Sequence, residues 1–105
     1  MKIIDEVLNE LNRAVAKFPT WPTDPLHALA VLGEEYGELN KAVLQLTYEP
    51  EKFITHPHGK RHVRDEAVQT AAMAIRFLMS LDRYKYVGTD QHLSNRGLLR
   101  ESRKG

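Results

Sequence analysis

The stretch Gly33-Glu34-Glu35-Tyr36-Gly37-Glu38-Leu39-Asn40-Lys41-Ala42 puts three carboxylates into a segment whose neighbours read as the buried side of a helix. At ~100° per residue, Glu35 falls among Val31, Leu32, Leu39, Ala42 and Leu46, while Glu38 lies at the edge of that stripe and Glu34 farther round. Removing an ionised carboxylate from water costs enough that the group must be paired, hydrogen-bonded, protonated or bound to a cation. An oxygen-rich cluster without thiols suits Mg²⁺ or Mn²⁺, provided further acids arrive from elsewhere in the chain.

They arrive in Val63-Arg64-Asp65-Glu66-Ala67-Val68-Gln69-Thr70-Ala71-Ala72-Met73, where Glu66 shares a helix face with Val63, Thr70, Met73 and Phe77. Two helices, each with an acid on its inner face, are what a metal site in a bundle core requires. The set Glu34-Glu35-x-x-Glu38, followed after a loop by Glu66-x-x-Gln69, resembles the MazG-like superfamily of all-α nucleoside triphosphate pyrophosphohydrolases. That family carries E-E-x-x-E on one helix and E-x-x-D on the next; the resemblance spans roughly residues 24 to 82 and departs at Gln69, where the closing Asp is expected.

The resemblance implies hydrolysis of a nucleoside triphosphate to the monophosphate and pyrophosphate with Mg²⁺, or Mn²⁺, as cofactor. Residue by residue, it implies that Glu35, Glu38 and Glu66 are metal ligands and that Glu34 orients or deprotonates the attacking water. Gln69 stands at the fourth ligand position; a neutral amide oxygen coordinates Mg²⁺ with one negative charge fewer, which weakens binding. Asp65 is no simple replacement, because it lies ~100° from Glu66 round the helix.

The whole chain, 105 residues with 42% hydrophobic and 28% charged content, is expected to be one small domain. At this length only about two-thirds of the unfolded surface is buried, so an all-helical chain gains by dimerising. A net charge of +1 supplies no field for duplex nucleic acid. The chain has no Cys, hence no disulfide framework and no thiolate zinc site, which fits a reducing cytoplasm. Met1-Lys2-Ile3-Ile4-Asp5-Glu6 becomes acidic too soon for a secretory signal, and no uncharged apolar run approaches the ~20 residues of a membrane span.

From the start, Ile3, Ile4, Val7, Leu8, Leu11, Ala14, Val15 and Phe18 recur at helical spacing and predict an amphipathic helix that stops before Pro19. Trp21, the only Trp, sits in the stiff connector Pro19-Thr20-Trp21-Pro22-Thr23. It either stacks on a nucleobase or plugs the start of the next helix, and the plug is the plainer reading. Asp24-Pro25 opens a second helix, which the pattern carries from Leu26 to about Tyr48 before Pro50. Gly33 and Gly37 within it are either sites of close approach or merely tolerated.

The loop from Glu49 to His62 is rich in cations and imidazoles. Basic side chains near the acids hold polyphosphate in the resembling family, which makes Lys60, Arg61 and Arg64 candidates for that task; a solvated face is the alternative for each. His56 and His58 are a weak metal signal. His62 precedes Glu66 by four and shares its face if the helix starts early enough.

A third helix is expected over about Val63 to Leu81, apolar nearly all round, with only Gln69, Arg76 and Ser80 as a narrow polar arc. A helix apolar on every side is buried on every side. With two other substantial helices available, the expected cover is a partner subunit, giving a homodimer or a dimer of dimers. The expected architecture is therefore all-α: a helical bundle of three main helices plus a short C-terminal helix over 90–99, its core completed by dimerisation. Residues 1–88 are expected to form the domain, and 89–105 the short helix and a basic, mobile tail.

Three functions stand as hypotheses: the metal-dependent pyrophosphohydrolase, a non-catalytic helical dimer that binds nucleotide or a protein partner with its acids engaged by Arg64, Arg61 or Lys60, and a ferritin-like di-iron bundle, which is set aside. The last requires Glu-x-x-His pairs, which the chain lacks.

Overall fold

The computed structural model describes residues 2–53 and 59–86. The expected short helix over 90–99, the tail beyond it, the domain boundary at 88, and His56 and His58 lie outside the described residues.

Among the described residues the chain is all-α, with three helices, α1 (Lys2–Lys17), α2 (Pro25–Tyr48) and α3 (Gly59–Met79), and short 3-10 turns at Pro50–Phe53 and Leu81–Arg83. In α1 the inner face buries Val7 and Leu11, each worth ~1.5–3 kcal/mol when fully removed from water. The helix stops at Lys17, one residue before the position expected from the apolar pattern, although the Phe18 amide still donates to the Ala14 carbonyl at 2.8 Å. At the start of α2, Asp24 Oδ1 accepts from the Leu26 amide at 2.9 Å, and Pro25 follows in the first turn, where its missing N–H costs nothing. α3 begins at Gly59, four residues before the start that apolar periodicity suggested. Its first turn is polar, so it carries no periodic signal, yet Lys60 and Arg61 are good helix formers.

α3 is packed against both α1 and α2. The core joins Val7 and Leu11 to Ala72 and Met73, with Trp21, Leu32 and Val68 packed around them. Ala72 and Ala28 are fully buried, which lets the helices approach closely at those points. The chain then returns from α3 over the connector. Tyr84 Oη accepts from Trp21 Nε1 at 2.8 Å and donates to the Phe77 carbonyl at 3.0 Å, and the Lys85 amide donates to the Thr23 carbonyl at 2.9 Å.

This chain leaves one side of α3 uncovered, the side for which the sequence reading expects a partner subunit: Ala67, Ala74, Leu78 and Met79 are exposed. Its polar arc points inward instead: Arg76 and Ser80 are buried and Gln69 is half-buried. Nor does the chain approach its own glycines closely, since a Cβ at Gly33 or Gly37 would meet nothing within 4 Å. No helix among the described residues is long and apolar enough to cross a membrane.

Candidate functional site

The periodicity of α2 turns Glu35 toward α3, and that of α3 turns Glu66 toward α2. Glu66 is 9% exposed and Glu35 half-buried, whereas Glu34 and Glu38 face solvent. Gln69, one turn beyond Glu66, lies between the two inner acids. With its amide nitrogen facing them, it donates to Glu66 Oε1 at 3.1 Å and to Glu35 Oε2 at 3.2 Å. Thr70 fastens the helices at the same level: its Oγ1 lies 2.8 Å from the Glu66 carbonyl and 3.1 Å from the Glu35 carbonyl, so one hydroxyl proton serves both helices.

Burial raises the Glu35 carboxyl above its ordinary pKa, and the charges of Glu66, Glu38, Glu34 and Glu10 push it the same way. None of the side-chain ion pairs among the described residues relieves this crowding. Those pairs are Arg13–Glu10, Lys52–Glu49 and Arg64–Glu6, and none includes Glu34, Glu35, Glu38 or Glu66. Arg64, a sequence candidate for phosphate, is thus engaged by Glu6 on α1, and the guanidinium in turn lowers the Glu6 pKa. Lys60, Arg61 and His62 are exposed on the first turn of α3.

A cavity of about 490 Å³ opens beside Glu35 and Gln69, between the end of α1, the connector and the inner faces of α2 and α3. Trp21, Val31, Met73 and Arg76 line it. Trp21 packs against the core, as the plug reading expects, and also forms part of the cavity wall. Its indole N–H is committed to Tyr84, and the Arg76 guanidinium lies 4.9 Å from its ring centroid. The basic side chains at this cavity are Arg13, Lys17 and Arg76 rather than Lys60, Arg61 or Arg64.

Those three were missed in the sequence. For Arg76 a signal existed, since Gln69, Met73 and Arg76 recur at i, i+4 and i+7 and so share one helix stripe. For Arg13 and Lys17 there was none, because they read as the solvated side of α1.

Among the described residues, no three His, Cys, Asp or Glu side chains converge closely enough to hold a metal. Glu35 and Glu66 nevertheless form a pair of oxygen donors joined through Gln69, whose amide presents a third oxygen if turned over. That donor set fits a hard cation such as Mg²⁺. Comparison of the chain with protein-family models, with curated proteins and with solved structures yields no match.

Proposed function

We propose that this chain is a metal-dependent nucleotide pyrophosphohydrolase that converts a nucleoside or deoxynucleoside triphosphate to the monophosphate and pyrophosphate. The observation that carries the reading is the convergence of Glu35 and Glu66 on Gln69, without a basic partner among the described residues, beside a cavity that Glu35, Gln69 and Trp21 line. A structural pair of carboxylates normally has a cation from the chain beside it. Here the cation that would balance them is Mg²⁺ or Mn²⁺, held by Glu35, Glu66 and the turned amide of Gln69, with Glu38 as the further acid of the same helix. When bound, such an ion neutralises the triphosphate and lowers the pKa of water.

The chain's own contributions follow from position. Glu34, exposed one residue before Glu35, orients a water for attack on the α-phosphorus and takes its proton. The bond from that phosphorus to the bridging oxygen breaks, and pyrophosphate leaves. General-base assistance of this kind supplies ~10²–10⁴ in rate. Trp21, in the cavity wall, stacks on the base.

The working unit is a homodimer or a dimer of dimers in the cytoplasm. On α2, Leu29 and Tyr36 are more than half exposed, and α3 offers Ala67, Ala74 and Leu78 on its outer side. A 105-residue chain with so much apolar surface outside gains from covering it with a second copy.

One observation favours the alternative, a catalytically impaired dimer that binds nucleotide or protein: the Gln69 amide already satisfies both inner acids without an ion. The deciding experiment is a panel of ribo- and deoxynucleoside triphosphates incubated with Mg²⁺ or Mn²⁺ and resolved by chromatography. Monophosphate plus pyrophosphate, abolished by Glu38→Ala, establishes the enzyme. No turnover by folded protein favours the binding module.

A further inference from the structure

Arg76 is 7% exposed, and no carboxylate lies within ion-pair distance of it among the described residues. Protein groups use one edge of its guanidinium: Nη2 donates to the Phe18 carbonyl at 2.5 Å and to the Thr20 carbonyl at 3.3 Å. Its Cζ lies over the Trp21 ring, 4.9 Å from the centroid. Nε and Nη1 have no hydrogen-bond partner among the described residues, and no buried side-chain nitrogen there is unsatisfied, so these donors keep contact with solvent on a residue that lines the cavity. A buried guanidinium without a counter-charge is costly, and burial indeed draws its pKa below the ordinary value.

The rest of the lining is of mixed charge, with Arg13, Lys17, Glu10 and Glu35. Glu10 and Arg13 pair with each other, at 3.1 and 2.8 Å, and Glu35 accepts from Gln69, which leaves Lys17 as the further cation in no ion pair among the described residues. A guanidinium fork with free donors, walled in by apolar side chains, is the usual receptor for tetrahedral oxyanions.

We infer that Arg76 is an anion receptor in the wall of this cavity, and that the anion it takes is a phosphate group of a phosphate ester or of pyrophosphate. That the ligand is a nucleotide rests on the function proposed above; the receptor itself does not. In that setting the polyphosphate runs from the acids toward Arg76, which does the holding that sequence assigned to Lys60, Arg61 and Arg64. Arg76 then has two tasks, closing the connector over the core and binding the ligand.

The test uses the full-length protein in metal-free buffer with chelator, so that it does not depend on hydrolysis. Trp21 is the only Trp and lies against Arg76, so its fluorescence reports the site. Titration with pyrophosphate and with nucleoside monophosphates should change Trp21 emission saturably, while the corresponding nucleosides bind far more weakly. Arg76→Lys, which keeps the charge and one donor, should weaken pyrophosphate by about tenfold, and Arg76→Met by about a hundredfold, the range for lost charged hydrogen bonds. A folded wild-type protein that shows no response to pyrophosphate or monophosphate overturns the proposal, whatever the turnover assay gives. So does equal binding of nucleoside and monophosphate, which would reassign Arg76 to a base edge. Unchanged pyrophosphate affinity in Arg76→Lys overturns it as well, and that variant does not depend on the folding of Arg76→Met.

Discussion

The Gln69 amide on α3 stands 3.2 Å from Glu35 Oε2 on α2, and through its second N–H it also reaches Glu66. A neutral side chain therefore joins two acids that would otherwise repel, and it does so at the position where the resemblance calls for the closing Asp, the fourth ligand. Gln69→Asp should separate these effects. Without metal, three carboxylates face one another and the melting temperature falls. With added Mg²⁺ the melting temperature should recover past that of wild type, with an apparent Mg²⁺ affinity at least about tenfold higher, because each added ligand charge tightens the site. A variant whose stability ignores Mg²⁺ from micromolar to millimolar concentration would rule out a cation at these residues.

Glu35 is costly to the fold. Burial first, then Glu66, Glu38, Glu34 and Glu10, raise its pKa above the reference of 4.5. At low pH the carboxyl is protonated whether the chain is folded or not, so it exacts no penalty. As pH rises through about 4.5 the unfolded chain releases the proton while the native state retains it, and stability falls until the native pKa is passed. Glu35→Gln should therefore raise the melting temperature in metal-free buffer at neutral pH, by a margin that shrinks toward zero below pH 4.5. A variant less stable than wild type at pH 7 would contradict this.

Tyr84 binds the connector to α3 with one hydroxyl, accepting from Trp21 and donating to the Phe77 carbonyl. Tyr84→Phe leaves the ring in place and strips both bonds. The expected loss is ~1–3 kcal/mol by chemical denaturation, with a shift in Trp21 emission as the indole N–H loses its partner. An unaltered spectrum would mean that the indole does not depend on Tyr84.

Gly37 lies on the exposed side of α2, where a Cβ meets nothing in this chain within 4 Å. In an isolated subunit Gly37→Ala should add up to ~1 kcal/mol of helix stability. If a second copy packs against this side of α2, the added methyl instead weakens association. Light scattering across a dilution series, combined with denaturation, separates the two outcomes. Leu29→Glu is the companion variant and should shift the protein toward monomer.

The three helices were legible in the sequence because their cause is local. Apolar residues at helical spacing, Asp24-Pro25 at one start and the prolines at 19 and 50 act on the chain within a turn or two. Spacing also indicated that Glu35 and Glu66 face inward, since each sits on the apolar stripe of its own helix. Only the tertiary structure decided which side of α3 faces the rest of the chain. That helix is apolar nearly all round, so periodicity is nearly silent about its rotation, and packing against α1 and α2 turned Gln69, Arg76 and Ser80 inward. The cavity's cations depended on tertiary packing for the same reason: Arg13 and Lys17 lie on the polar side of α1, and only the path of the connector brings them beside Arg76 and Trp21. Which residues share a face is a property of one helix; which faces meet depends on three helices and a connector packing at once.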